Sequence, residues 1–264
     1  MDYIAAVPYR SVSDNGDYIQ SVREAVASPA AFTRFKQDAR YQYVLEHLSL
    51  DKGLECLAIL EAKYPDLLVR SIVGLNDMVG SPTTYPSLVV HGIPVSPSSL
   101  RYLKIVGDLL SIYPGKLPSG LKIAEIGVGY GGQCLLLDAV LPQARFTLFD
   151  LPPVLELASK YLECHLMQGS YTTTSLNRCS GQQEYDLVVS NYAFSELPSA
   201  VQRVYLEKVL TGAGHGYMIM NSGREGCAFQ GDHLSVDQIR EYLPQIRVEQ
   251  EEPSTHPGNY VIRW

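Results

Sequence analysis

The chain has 264 residues, 46% of them hydrophobic and 19% charged, with a formal net charge of −7; this is the composition of one large folded domain, or a domain with an extension, and not of a disordered chain. The acidic balance argues against non-specific binding to nucleic acid or to an anionic membrane. Five scattered cysteines without a C-x-x-C pair read as reduced thiols, no apolar run approaches membrane-spanning length, and the first residues lack the basic start and apolar core of a secretory signal, so a cytoplasmic protein is expected.

The front part, residues 1–119, reads as a mostly helical region. Apolar residues recur at three- and four-residue spacing over 17–27 and 32–50. A further helix is expected over 54–64, stopped by Pro65, which can itself open the next one over 66–75. Four prolines break residues 80–97 into loop with a short extended piece at 88–90. Ser96-Pro97 then supplies a cap and a first-turn proline for a helix to about residue 113, and the proline- and glycine-rich residues 114–120 read as a linker.

From residue 121 the rhythm changes, and short β-rich runs alternate with helical ones. Strands are expected at 121–126, 145–149, 165–168, 186–190, 217–221, 246–251 and 260–264, with helices between the first five and at 236–243. The link between the last two strands, PSTHPG, is too short and proline-rich for a crossover helix, so they should pair antiparallel. The expected fold is α/β, Rossmann-like: a mostly parallel seven-stranded sheet with a C-terminal antiparallel hairpin over residues 120–264, capped by the helical front, which would shape an acceptor pocket.

The segment EIGVGYGG (125–132) joins the first strand to the next helix. Glycines there let a ligand approach the backbone, and the helix N-terminus offers free N–H groups. The spacing also fits the dinucleotide fingerprint, so an NAD-dependent oxidoreductase stays open, as does a non-catalytic binding module. Glu125 could reach the amino group of a methionine moiety, and Asp150, ending the second strand, could hold a ribose diol or cap the following helix. With the C-terminal hairpin these favour S-adenosylmethionine. Cofactor contacts are expected from Glu125, Gly127, Gly129, Tyr130, Gly131, Asp150, Leu151, Gly169, Ser170 and Asn191; Tyr130 could instead pack on the helix.

The motifs EIGVGYGGQ, FDLPPVLELA, YDLVVSNYAFSEL and the ending EEPSTHPGNYVIRW together resemble the bacterial sugar O-methyltransferase family, as do LNDMVGSPTTYP and HGIPVSPSSLRYL in the front part. The FDLP step is also similar to plant small-molecule O-methyltransferases, in which the aspartate, here Asp150, binds ribose; their histidine base has no clear counterpart. The resemblance implies a class I, S-adenosylmethionine-dependent methyl transfer to a hydroxyl of a sugar or glycan precursor.

Methyl transfer needs the acceptor oxygen held in line and its proton drained. The fourth strand's end supplies Asn191, Tyr192 and Glu196, and the loop after the fifth supplies Arg224, Glu225, Asp232 and His233. Glu196 or His233 could be the base, with Asn191 and Tyr192 orienting. Asn76, Asp77, Ser81, Tyr85, His91 and Arg224 are candidate acceptor contacts. His256 reads as shaping the hairpin turn, His215 lies at the wrong strand end, and His47 and His165 read as structural. No metal-ligand spacing stands out, although Glu196, Glu225 and Asp232 could hold magnesium. The expected partner is a small-molecule or glycan acceptor, and a homodimer stays open.

Overall fold

A computed structural model describes residues 16–113, 118–179 and 181–264. The first part of the expected linker, residues 114–117, lies outside the described residues.

The front begins with α1 (Gly16–Ala27), then three short turns of helix: α2 (Pro29–Phe32), a 3-10 turn at Phe35–Gln37, and α3 (Ala39–Gln42). The continuous helix expected over 32–50 is absent. Ser28 and Asp38 each turn their side chains onto backbone N–H groups two or three residues on, which starts a new helix each time instead of extending one. Residues 43–49 are not helical. α4 (Leu50–Lys63) starts four residues earlier than expected because Ser49 caps it, accepting from Lys52 N at 3.3 Å. The expected 66–75 helix is likewise split, into 3-10 turns at Pro65–Leu67 and Leu75–Asp77 around α5 (Arg70–Val73). A two-residue hairpin, β1 (Val89–Val90) and β2 (Ile93–Pro94), precedes α6 (Pro97–Leu110), which opens at Ser96-Pro97 as expected.

The second part runs β3 (Lys122–Ile126), α7 (Gly132–Val140), β4 (Arg145–Phe149), α8 (Pro152–Leu162), β5 (Ser170–Thr174), β6 (Tyr185–Asn191), α9 (Ser199–Tyr205) with a π turn at Leu206–Leu210, β7 (Ala213–Met220), α10 (Val236–Arg240), β8 (Arg247–Gln250) and β9 (Tyr260–Arg263). The sheet order is β5-β4-β3-β6-β7-β9-β8, parallel except for β9, which runs antiparallel to both neighbours. The expected Rossmann-like, mostly parallel seven-stranded sheet with its C-terminal antiparallel hairpin is therefore present. Side chains alternate between two cores: Ile123, Leu187, Val189 and Ile219 face one, under α6, α7 and α8; Ala124, Ile126, Val188, Met218 and Ile262 face the other, under α9 and α10.

The third parallel strand is Ser170–Thr174, not 165–168. Asp138 on α7 accepts from Gln168 N and Gly169 N, both at 2.7 Å, and pins those residues as a turn; the β-branched run Thr172–Thr174 forms the strand instead.

The front is tied to the sheet layer by buried polar contacts. Lys160 Nζ on α8 donates to Ala25 O and Val26 O at the C-terminus of α1, where a cation meets the orphan carbonyls and the negative end of the helix dipole. Fully buried Asn76 donates to Ser99 Oγ (3.0 Å) and Tyr130 OH (2.9 Å) and accepts from Tyr161 OH (2.7 Å). Lys36 Nζ donates to Asn76 O at 2.6 Å and sits 4.1 Å from the centre of the Tyr130 ring. Asn76→Leu removes three buried side-chain hydrogen bonds and is expected to cost about 3 kcal/mol or more in urea unfolding; a change under about 0.5 kcal/mol would contradict this structural role.

Candidate cofactor and acceptor site

The parallel strands β3, β4, β6 and β7 all end at one edge, and a cavity of about 1170 Å³ opens there. This is the edge at which open α/β sheets take ligands. The glycine turn forms its floor. Gly127 N donates to Phe149 O at 2.8 Å, carrying the β3–β4 ladder one residue further. Gly127 has φ +78°, and a Cβ there would lie 2.0 Å from the Ala193 Cβ, so glycine is required twice over.

Glu125 lines the cavity at the end of β3, is almost fully buried, and leaves Oε2 without a hydrogen-bond partner. Burial, with the neighbouring Asp150 charge second, raises its carboxyl well above the usual range. On the adjacent strand, Glu125 pairs with Val189, so Asn191 two residues on projects to the same face. Asn191 Nδ2 donates to Gln133 Oε1 at 3.3 Å, and Gln133 Nε2 in turn to Tyr102 O at 3.4 Å; Asn191 Oδ1 is buried and unpartnered. Two residues with orphan acceptors thus line one cavity. Asp150, ending β4, accepts from Gly129 N (3.0 Å) and Leu151 N (2.7 Å) and lines the same wall beside Leu151.

Past β6 the backbone turns sharply. Tyr192 has φ +68°, a conformation a bulky residue adopts only when its surroundings hold it there. Its hydroxyl is tied to the Glu251 carboxylate by a short hydrogen bond and lies 3.1 Å from Thr255 Oγ1. Ser195 Oγ donates to Asn221 Oδ1, and Asn221 Nδ2 donates to Glu196 Oε1 at 2.9 Å, so an amide at the end of β7 orients the Glu196 carboxylate on the cavity wall.

Among the sequence-expected residues, Glu125, Gly127, Gly129, Asp150, Leu151, Asn191, Tyr192 and Glu196 line the cavity together. The others do not. Tyr130 turns into the core, its ring 5.0 Å from that of Tyr161. Gly131 caps α7 with φ +93° and faces Leu162. Gly169 and Ser170 lie at the start of β5, beside Arg145 at the opposite end of β4, because the strand runs later than expected; Ser175, Leu176 and Asn177 take the cavity edge. Asn76 is in the network described above. Asp77 accepts from Ser96 N, Ser96 Oγ and Ser99 Oγ and clamps the start of α6. Tyr85 packs against the core and Ser81 Oγ donates to Thr33 O. His91 sits in the β1–β2 turn with φ +51°, and Arg224 lies 4.7 Å from the centre of the Tyr260 ring. His233 keeps Nδ1 3.0 Å from Leu197 O and is not in the cavity wall. Among the described residues no three His, Cys, Asp or Glu side chains gather as a metal-holding group, Glu196, Glu225 and Asp232 included.

The wall also holds residues the sequence did not single out: Tyr18 of α1, Ser49 and Lys52 around the start of α4, Arg101 and Tyr102 of α6, and Asn221; His47, expected to be structural, lines it too. His256, expected only to shape the hairpin turn, lines the cavity with Thr255 and Asn259. Residues 43–49 fall inside the helix expected over 32–50, because a short run bent over the glycine turn has no periodic signature of its own; Leu45 comes within 3.0 Å of a Cβ placed at Gly129.

No protein-family model matches the chain, and no curated protein matches it closely enough to count as a relative. Solved structures do resemble it. Magnesium protoporphyrin IX methyltransferase (ChlM) from Synechocystis PCC 6803, with bound SAH, aligns over 62% of this chain and 81% of its own, at 16% identity and TM-score 0.46. N-methyltransferase NodS from Bradyrhizobium japonicum WM9, in complex with S-adenosyl-L-homocysteine, aligns over 62% of this chain and 84% of its own, at 17% and 0.45. A SAM dependent methyltransferase from Aquifex aeolicus aligns over 60% and 86%, at 15% and 0.44. At such identities and TM-scores the likeness says nothing of substrate or reaction.

Proposed function

We propose that the protein is an S-adenosylmethionine-dependent O-methyltransferase acting on a hydroxyl of a sugar or glycosylated small molecule. One observation carries the cofactor half: the buried, unpartnered acceptors Glu125 Oε2 and Asn191 Oδ1 flank a glycine turn at the sheet's ligand edge. Orphan acceptors of this kind suit an ammonium group, and the methionine end of this cofactor carries one. When bound, S-adenosylmethionine supplies an activated methyl group, so no covalent protein intermediate is needed. Glu125 and Asn191 would accept from the amino group. Asp150 would take the ribose hydroxyls, the role an acid at the end of the second strand has in many nucleotide folds.

The remaining wall would hold the acceptor. Glu196, steadied by Asn221, would take the proton from the acceptor hydroxyl, and Tyr192 would present its ring beside it. The rings of Tyr43, Tyr102 and Phe229, with the polar groups of Ser49, Thr255 and Asn259, suit a carbohydrate or glycoside. The sugar itself rests on the motif resemblance. A dinucleotide enzyme fits less well, because antiparallel β9 stands where a sixth parallel strand would complete the second nucleotide-binding half.

Calorimetry is expected to give submillimolar binding of S-adenosylmethionine and S-adenosylhomocysteine, and a fluorescence titration with NADH none. No heat with either adenosyl ligand would sink the reading. With an acceptor found by labelled-methyl transfer to sugars and glycosides, Glu196→Gln should lower kcat by about 100-fold or more while S-adenosylhomocysteine affinity stays within about twofold. Full turnover in that variant would place the base elsewhere.

A further inference from the structure

Arg101 is 8% exposed, yet it lines the cavity and its Nε has no hydrogen-bond partner. No carboxylate lies within ion-pair distance of it among the described residues. Its setting differs from that of the other cations near it. Lys104, one turn on along α6, pairs with Asp108 at 2.7 Å in the same buried layer, and Arg263 reaches Asp108 and Glu249. What Arg101 has instead is aromatic: its guanidinium carbon is 5.5 Å from the Tyr102 ring centre and 5.7 Å from that of Tyr192. Those are weak contacts at the limit of useful range. The guanidinium is thus buried on the cavity wall with no ion pair and with one donor unpaired.

The acids nearby do not pair with it directly. Glu251 is taken up by Tyr192 OH, Thr255 N and Thr255 Oγ1. Burial raises the Glu46 carboxyl, which favours its neutral form. The cavity wall also carries Lys52, His47 and His256, together with the acids Glu125, Asp150 and Glu196.

We propose that the acceptor carries an anionic group, a carboxylate or a phosphate, which the Arg101 guanidinium receives beside Tyr192. This deepens the methyltransferase reading and rests on it for the word acceptor. A planar fork of N–H donors matches either oxyanion, and the pairing would satisfy the unpartnered Nε. Arg101 lies against Tyr192 and Tyr102, beside the reacting edge, so the anion would also fix which hydroxyl is presented. The cofactor's own methionyl carboxylate has the same chemistry, so the test must separate the two sources.

The protein loaded with S-adenosylhomocysteine is titrated with glucose 6-phosphate and glucuronate against glucose, and with benzoate against benzamide. At least one anion is expected to bind about tenfold or more tightly than its neutral counterpart, the preference being lost in Arg101→Leu and reduced in Arg101→Lys. S-adenosylhomocysteine affinity should stay within about twofold in both variants. Removing an unpaired buried charge should leave the melting temperature of Arg101→Leu unchanged or higher, which a merely structural arginine would not do. Equal binding of anions and neutral probes by the wild type, or a preference kept in Arg101→Leu, overturns the proposal. So does a roughly tenfold loss of S-adenosylhomocysteine affinity in Arg101→Leu, which assigns the guanidinium to the cofactor. If the wild type does not bind S-adenosylhomocysteine, the methyltransferase reading falls instead, and the same probes titrated onto the unloaded protein still decide whether Arg101 holds an anion.

Discussion

Gly127→Arg is expected to weaken S-adenosylhomocysteine binding by about 100-fold or more, to below detection by calorimetry. Two costs combine at this position. The backbone sits at φ +78°, where a side chain brings strain of about 1–3 kcal/mol. The new Cβ would also fall 2.0 Å from the Ala193 Cβ. Relief would push the glycine turn away from the 3-10 turn Ala193–Glu196, and that turn holds Glu196 on the cavity wall. The movement therefore disturbs the cofactor floor and the reaction edge together. Gly226→Ala separates local strain from damage to the site: Gly226 also has a positive φ, +83°, but nothing lies within 4 Å of its Cβ position and it is outside the cavity wall. It should keep full affinity. Asp150→Ala gives an independent measure of the nucleotide end and is expected to lose about tenfold to 100-fold, with the melt showing a folded protein. Wild-type affinity in Gly127→Arg would remove the glycine turn from the binding site.

Legibility followed periodicity. The sheet was readable because its central strands are buried and read as apolar runs, which point to parallel pairing, and because the PSTHPG link is too short for a crossover, which points to β9 running antiparallel. The residues at strand ends, Glu125, Asp150, Asn191 and Glu196, were readable for the same reason, since a strand's end fixes its edge. The third strand was misplaced because Asp138, thirty residues away, holds the turn at Gln168 and Gly169. Nothing local announces that contact. Arg101 and His47 were hidden in another way. Arg101 sits inside the helix expected from Ser96 to about residue 113, and the packing of α6 against α7 and α4 helps to bury it. The polar front residues Asn76 and Asp77 look available for substrate in the sequence but are used up in holding α6 and the Tyr130–Tyr161 pair in place.

Glu125→Gln is expected to uncouple cofactor binding from pH. In the unloaded protein, burial and then the Asp150 charge raise the Glu125 carboxyl well above its usual range, so the side chain holds its proton across mildly acidic conditions. An ammonium group beside Oε2 favours the ionised form. Binding must then release a proton wherever the unloaded carboxyl is still protonated, and affinity rises with pH until the unloaded group ionises by itself. Calorimetry of S-adenosylhomocysteine in buffers of different ionisation enthalpy should report release of up to about one proton, against none in Glu125→Gln. The variant should also bind about tenfold to 100-fold more weakly near neutral pH, the loss of a charge-assisted hydrogen bond. Stability moves the opposite way. A carboxyl whose folded pKa is raised favours the folded state less as pH climbs from its unfolded value of about 4.3 through its folded one, because the unfolded chain gives up the proton first. The glutamine has no proton to lose, so the unloaded variant should be the more stable of the two at neutral pH and lack that decline. A protein in which Glu125→Gln changes neither the proton count nor the affinity does not use this carboxylate for the cofactor, and the orphaned Oε2 would then answer to the acceptor instead.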